Sequence, residues 1–118
     1  LTAMACAALH AAVTPPGLVA CTSDAQFGTS ATIFNRNLQV ERAPFAVVTP
    51  ATIGDLAAVL RIARRFQLPM AVRNGGHNPA GWALSPGGIT LDMSLQRAVH
   101  VEASPAARSD GQPATPYA

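Results

Sequence analysis

Between Phe45 and Arg73 the spacing of apolar residues changes twice, from a strand-like run to a helical period and back. Phe45-Ala46-Val47-Val48-Thr49 is a compact β-prone run stopped by Pro50, which predicts a buried strand over 45–49. Thr52 followed three residues later by Asp55 predicts a capping box, with Asp in place of the usual Glu or Gln. On a helical wheel Ile53, Leu56, Val59, Leu60, Ile62, Ala63 and Phe66 fall in one arc, and Arg61, Arg64 and Arg65 occupy the gap. A helix over 53–66 with one buried face follows, its acid near the N-terminus and its arginines near the C-terminus, as the macrodipole favours. Leu68-Pro69 ends it, and Met70-Ala71-Val72-Arg73 reads as a second strand. Strand, amphipathic helix and strand within about thirty residues is a βαβ unit with a right-handed crossover, so strands 45–49 and 70–73 are expected to pair in parallel.

Two further strands are expected. Ile89, Leu91 and Met93 alternate with Thr90 and Asp92, and Ala98-Val99-His100-Val101-Glu102 alternates with Val99 and Val101 inward. The fold class is therefore a small α+β domain, a βαβ unit followed by strands 89–93 and 98–102. Upstream, residues 1–13 predict a short Ala-rich helix, residues 14–22 a Pro- and Gly-interrupted connection, and Ser23 onward a second helix carrying Phe27, Ala31 and Phe34 on one face, capped by Ser23 or Asp24. Asn35 to Ala43 reads as a loop. The expected division is a helical lead-in over 1–43, the subdomain over 44–104, and a disordered tail over 105–118 that is too poor in large hydrophobics to bury a core.

The segment built for chemistry is Arg73-Asn74-Gly75-Gly76-His77-Asn78-Pro79-Ala80-Gly81, which follows the second strand. Adjacent glycines let a backbone turn through positive φ and bring its N–H groups close to a ligand, as in an anion nest. His77 brings a side chain suited to nucleophilic, acid–base or ligand roles near neutral pH. Open α/β sheets bind ligands at the carboxyl ends of their strands, so the location agrees with the chemistry. A metal at His77 would need carboxylates or further histidines nearby, and the neighbouring sequence supplies none. His10, on an Ala-rich segment, and His100, on the solvent side of a strand, carry no functional expectation. Trp82 is expected to pack and Asp92 to be hydrogen-bonded structurally.

Composition bounds the rest. The 118 residues give room for one domain, and the 49% hydrophobic content argues against wholesale disorder. All 8 basic residues are arginines, scattered against 6 acidic residues, which offers no nucleic-acid footprint. No stretch is long and apolar enough to span a membrane. The first residue is Leu, and the apolar run to Cys21 lacks a basic leader and is broken by Pro15-Pro16, unlike a signal peptide. Cys6 and Cys21 are compatible with a disulfide or with two buried thiols, and without a CxxC pair no structural zinc site is expected.

From Pro44 to Glu102 the ordered series Val47-Val48-Thr49-Pro50, Asp55-Leu56-Ala57-Ala58-Val59, Leu68-Pro69-Met70-Ala71-Val72-Arg73, Gly75-Gly76-His77-Asn78, Gly81 and Gly87-Gly88-Ile89-Thr90-Leu91-Asp92-Met93-Ser94 resembles the start of the flavin-binding, PCMH-type domain of berberine-bridge-enzyme-like oxidases, within the vanillyl-alcohol-oxidase superfamily. The resemblance implies that Arg73, Asn74, Gly75, Gly76, His77, Asn78 and Gly81 bind FAD, the loop wrapping its pyrophosphate through backbone N–H groups. It also implies that His77 matches the histidine that many members bond covalently to the flavin. The function expected is that of an N-terminal fragment of an FAD-dependent oxidoreductase acting on a small molecule, with no nucleic-acid or membrane partner. The alternative is an inactive truncated remnant or a small α/β interaction module. Residues 105–118 do not match the family, and a second glycine-rich flavin stretch, a cysteine used by some members as a second tether and a substrate domain are expected to follow. The chain is accordingly expected to be truncated, or frame-shifted near Ser104.

Overall fold

A four-stranded mixed sheet forms the centre of the computed structural model, which describes residues 2–99, and its strand order is β1–β2–β4–β3. The elements are α1 (Thr2–Ala12), β1 (Leu18–Cys21), α2 (Phe27–Ser30), a 3-10 turn (Arg36–Leu38), β2 (Ala46–Thr49), α3 (Ile53–Phe66), β3 (Met70–Arg73) and β4 (Ile89–Asp92). β4 pairs in parallel with both β2 and β3, and β1 adds antiparallel to the outer side of β2.

The predicted βαβ unit is present with one correction. β2 and β3 share a sheet and run parallel, but β4 lies between them, with Ile89 opposite both Ala46 and Met70. As a central strand β4 is covered on both faces, so Thr90, on the face opposite Ile89 and Leu91, is fully buried as well and its Oγ1 accepts the Ser85 N–H at 3.3 Å.

Helix α3 begins as predicted. The Thr52 hydroxyl accepts the Asp55 N–H at 3.1 Å and the Asp55 carboxylate accepts the Thr52 N–H at 2.9 Å, so the shorter acid closes the box. At its other end Gln67 takes a left-handed φ of 53°, and the Leu68 N–H reaches back to the Ala63 carbonyl at 2.9 Å. The buried stripe is narrower than the arc on the wheel. Val59 and Ala63 are buried and Leu56, Ile62 and Phe66 pack against the core, while Ile53 in the first turn and Leu60 on the flank are exposed.

Ala5 and Leu9 of α1, Val59 and Ala63 of α3, and Val19, Cys21, Ala46, Val48, Ile89 and Leu91 of the sheet make one cluster. Burial of a side chain such as Leu9 or Val59 contributes roughly 1.5–3 kcal/mol. Ala20, Val47 and Thr90 alternate to the opposite face and are also buried. Two further links fix the N-terminal segment. The Cys6–Cys21 disulfide, with Cα atoms 6.2 Å apart, joins α1 to β1 and decides between the two states left open by the sequence. The Asp55 carboxylate accepts the Thr14 N–H at 3.3 Å and its hydroxyl at 3.1 Å, so the cap of α3 also holds the chain leaving α1.

Three expectations for local structure are corrected. The connection at 14–22 contains strand β1, whose side chains are held by β2 and α1. The helix expected from Ser23 reduces to Phe27–Ser30, because the Asp24 carboxylate accepts the Cys21 N–H at 2.8 Å and closes a turn instead of capping, and Phe34 is exposed. Ala98 and Val99 form no strand, and Val99 is 84% exposed rather than inward. Residues 100–102, with His100, and the expected tail at 105–118 lie outside the described residues. Among the described residues no helix is long and apolar enough to cross a membrane.

Candidate functional site

The chain leaves β3 at Arg73, and the loop that follows starts at the carboxyl end of that strand, beside the carboxyl end of β4. Arg73 turns inward. Its Nε donates to Asp92 Oδ2 at 3.1 Å, its Nη2 reaches the same oxygen, and its Nη1 donates to the Thr32 carbonyl at 3.2 Å. Burial raises the Asp92 carboxyl, but the Arg73 hydrogen bonds, the Ser94 N–H at 2.9 Å and the guanidinium charge outweigh it and hold the pKa below the ordinary Asp value. Asp92 thus has the structural role expected, and the Arg73 side chain anchors the base of the loop.

Beyond Arg73 the backbone is open. Among the described residues, none of the N–H groups from Asn74 to Asn78 has an intramolecular acceptor, so five consecutive donors are free. Gly76 has φ 68°, which admits the reversal that L side chains resist. Asn78 then closes a turn, its Oδ1 accepting the Ala80 N–H at 2.9 Å and its carbonyl accepting the Gly81 N–H at 3.1 Å. Gly81 combines φ 71° with a tight fit, since a Cβ there would stand 2.8 Å from Arg42 Cδ.

His77 projects from this loop into solvent. Its Nδ1 lies 3.0 Å from the Gly75 carbonyl oxygen, and its ring stacks on Phe34 with centroids 5.5 Å apart. Two open hollows flank it. One of about 190 Å³ is lined by Arg73, Asn74, Gly76, His77, Asn78 and Trp82, and one of about 350 Å³ by Thr32, Phe34, Arg36, Gly75 and His77. All seven residues expected at the site fall on this loop. Gly81 is buried and the Arg73 guanidinium is engaged by Asp92 although the residue contributes to the wall of the smaller hollow, while Asn74, Gly75, His77 and Asn78 are exposed.

The second wall was missed from sequence. Thr32 and Phe34 lie about forty residues upstream, and the Phe34 N–H donates to the Gly76 carbonyl at 3.1 Å while Asn35 Nδ2 donates to the Pro79 carbonyl at 2.8 Å. No local pattern announces such contacts. Trp82, expected to pack, is exposed with the Arg42 guanidinium 4.4 Å above its ring. Among the described residues, the group of clustered metal-ligating side chains is Cys6, His10, Cys21 and Asp24, which does not include His77.

Known proteins resemble this chain in sequence and in fold. Residues 44–110 match the family described as "FAD binding domain", so the match runs past Ser104 and the expectation that residues 105–118 lie wholly outside the family is corrected for 105–110. The (R)-6-hydroxynicotine oxidase of Paenarthrobacter nicotinovorans is 37% identical over 87 residues, 73% of this chain and 18% of that protein. Cytokinin dehydrogenase 7 of Oryza sativa subsp. japonica is 39% identical over 56 residues, 46% of this chain and 11% of that one. Among solved structures, 6-hydroxy-D-nicotine oxidase from Arthrobacter nicotinovorans superposes with a TM-score of 0.65 at 33% identity, over 79% of this chain and 20% of that one. BBE-like 1 of Physcomitrella patens gives 0.69 at 19% identity over 83% and 20% of the two chains, a likeness of fold. The chain spans about a fifth or less of the length of these relatives.

Proposed function

Because this chain belongs to the FAD binding domain family, we propose that the Arg73–Gly81 loop binds the pyrophosphate of FAD and that His77 tethers the flavin, within an FAD-dependent oxidoreductase acting on a small molecule. The observation that carries the reading is the run of five N–H groups, Asn74 to Asn78, that have no acceptor among the described residues and end beside an exposed imidazole. Such a run suits an anion, because each donor adds a hydrogen bond strengthened by the ligand's charge. The residues present fit the group. Gly76 removes the Cβ where the backbone must reverse, and the two hollows on either side of His77 give room along a cofactor lying across the loop.

When bound, FAD supplies hydride acceptance, which no side chain of this chain provides. The chain's own contribution is binding and positioning. Arg73 fixes the start of the loop through Asp92, Asn78 fixes its end, and the N–H groups between them hold negative charge. The nucleophile is an imidazole nitrogen of His77, held by the Gly75 carbonyl and by Phe34. Both hollows are open to solvent, the smaller is about 190 Å³ and the larger, about 350 Å³, reaches only the lower end of the roughly 300–1,000 Å³ of pockets that enclose whole ligands, so the isolated 118-residue chain is expected to bind FAD weakly and to show no oxidase turnover.

The test has two arms. Amide resonances of the ¹⁵N-labelled chain are followed during titration with FAD, ADP and riboflavin. Shifts centred on Asn74–Asn78 with FAD and ADP, and none there with riboflavin, are expected, whereas shifts elsewhere would remove the loop from the site. In a protein extended to the length of the relatives, acid precipitation should retain flavin on the parent and release it from His77→Ala. Release from both would reject the tether while leaving the pyrophosphate reading to the first arm.

A further inference from the structure

We propose that Cys6, His10, Cys21 and Asp24 form a zinc site when the Cys6–Cys21 disulfide is reduced, so that α1 and β1 are joined by a disulfide in one redox state and by a metal ion in the other. Helix α1 supplies two donors, and β1 with the turn that follows it supplies the other two. Cys6 and His10 are four residues apart on α1 and share a face. Cys21 ends β1, and Asp24 follows in the turn that its own carboxylate closes by accepting the Cys21 N–H at 2.8 Å. No CxxC pair exists in the sequence, and the fold brings the two half-sites together.

The donor atoms of all four lie within 4.8 Å of one another. Tetrahedral zinc holds sulfur at ~2.3 Å and nitrogen or oxygen at ~2.0–2.2 Å, which places donors roughly 3.3–3.8 Å from each other, so side-chain movement alone closes the site. His10 Nε2 and Asp24 Oδ2 already face each other at 3.0 Å, where a metal ion would replace the shared proton. Cys21 is buried at 1% exposure, while the His10 and Asp24 side chains are 45% and 23% exposed, giving a shielded sulfur and an entrance from solvent. Two thiolates, one imidazole and one carboxylate suit a borderline-soft, four-coordinate ion, not calcium or magnesium. None of the four residues lines the hollows beside His77, so this site is separate from the proposed flavin loop.

The chemistry balances with a dithiol reductant. Two electrons and two protons pass from the dithiol to the Cys6–Cys21 bond, giving two cysteine thiols and the oxidised reductant. Zinc then displaces two protons as the thiolates coordinate. The crosslink between α1 and β1 persists through the exchange, and with it the packing of α1 on α3.

The test uses the full chain, oxidised or reduced with a phosphine and freed of metal, titrated with zinc against a chromophoric chelator and separately with Co²⁺. One equivalent should bind to the reduced form only, and cobalt should give tetrahedral d–d bands with sulfur-to-metal charge transfer. Loss of an outer-shell partner costs ~10–100-fold in affinity, so His10→Ala and Asp24→Ala should each weaken zinc binding by at least about tenfold, with helicity by circular dichroism confirming that they fold. The ¹¹³Cd resonance of the unaltered chain reads the donor set without any substitution. Equal uptake by the oxidised form, an octahedral cobalt spectrum, a cadmium shift of two sulfurs alone, or affinity unchanged in both variants would overturn the proposal.

Discussion

Arg73 and Asp92 stand opposite each other in the register of β3 and β4, and the guanidinium donates through both Nε and Nη2 to one carboxylate oxygen. Their side chains are 8% and 13% exposed, so neither has water to turn to if the other is removed. Asp92→Ala leaves a buried guanidinium with the Thr32 carbonyl as its recorded partner, and a loss of about 3 kcal/mol or more is expected in urea unfolding. The pair Arg73→Met with Asp92→Leu should recover much of that loss, because two apolar groups need no partner. If Asp92→Ala cost less than about 1 kcal/mol, the pair would not be what anchors the loop.

Acid sensitivity follows from the same carboxylate and from Asp55. At Asp55 burial pushes the carboxyl up, but hydrogen bonds from Thr52 and Thr14 outweigh it and leave its pKa lowered. Asp24 is lowered as well, first by the Cys21 N–H. Folded-state values below the unfolded value of about 3.9 mean that the unfolded chain binds protons first as pH falls. The stability these groups contribute should therefore be complete above about pH 4 and disappear as pH drops through their folded values. Urea midpoints from pH 7 to pH 2 check this. Asp55→Asn should flatten the acid limb, and an unchanged limb would remove Asp55 from the account.

How far the sequence led is clearest in the two strands beside β2. The β2–α3–β3 unit was legible because α3 carries its signals locally, in Thr52, Asp55 and a one-sided apolar stripe. The place of β4 was not, since whether a parallel strand lies outside or between two others depends on partners far apart in sequence. β1 was overlooked because Leu18-Val19-Ala20-Cys21 is only four residues between Pro15-Pro16-Gly17 and a Ser-Asp turn, although a continuous apolar run was its available signal. At the site, Gly75-Gly76-His77 could be read from residue chemistry alone. Phe34 could not, because its helical spacing from Phe27 pointed toward a core that the short α2 never presents it to.

The three loop glycines should differ in what they tolerate. Gly75 has no positive φ, and a Cβ there meets His77 Nδ1 at 3.4 Å, so Gly75→Ala should be close to neutral. Gly76→Ala adds the left-handed strain of an L residue, about 1–2 kcal/mol, with its nearest contact at an ordinary 3.5 Å. Gly81→Ala carries the same strain and also forces Arg42 Cδ away from 2.8 Å and Leu38 Cδ1 from 3.2 Å, so it should be the most damaging of the three. Thermal unfolding of the three variants gives the order, and a Gly81→Ala protein as stable as Gly75→Ala would contradict the packing of this loop on the 3-10 turn.

Phe34 and His77 make the last prediction. Their rings are stacked at an interplanar angle of 21°, yet Phe34 is 68% exposed, so the pair contributes little to the core and fixes mainly the direction of the imidazole. Removing an exposed ring of this kind should change stability by no more than about 0.5 kcal/mol. Its effect on His77 should be plain, because protons held over an aromatic face feel its ring current. In Phe34→Ala the His77 Cδ2 and Cε1 proton resonances are expected to move downfield toward random-coil positions, while those of His10, which bonds to Asp24, stay in place. Phe34→Leu keeps bulk without a ring current and separates the two effects: it should reproduce the shift change yet preserve more of the imidazole's order in ¹³C relaxation. Unchanged His77 resonances in Phe34→Ala would mean that the stack is not maintained in solution, and that the Gly75 carbonyl alone orients the imidazole.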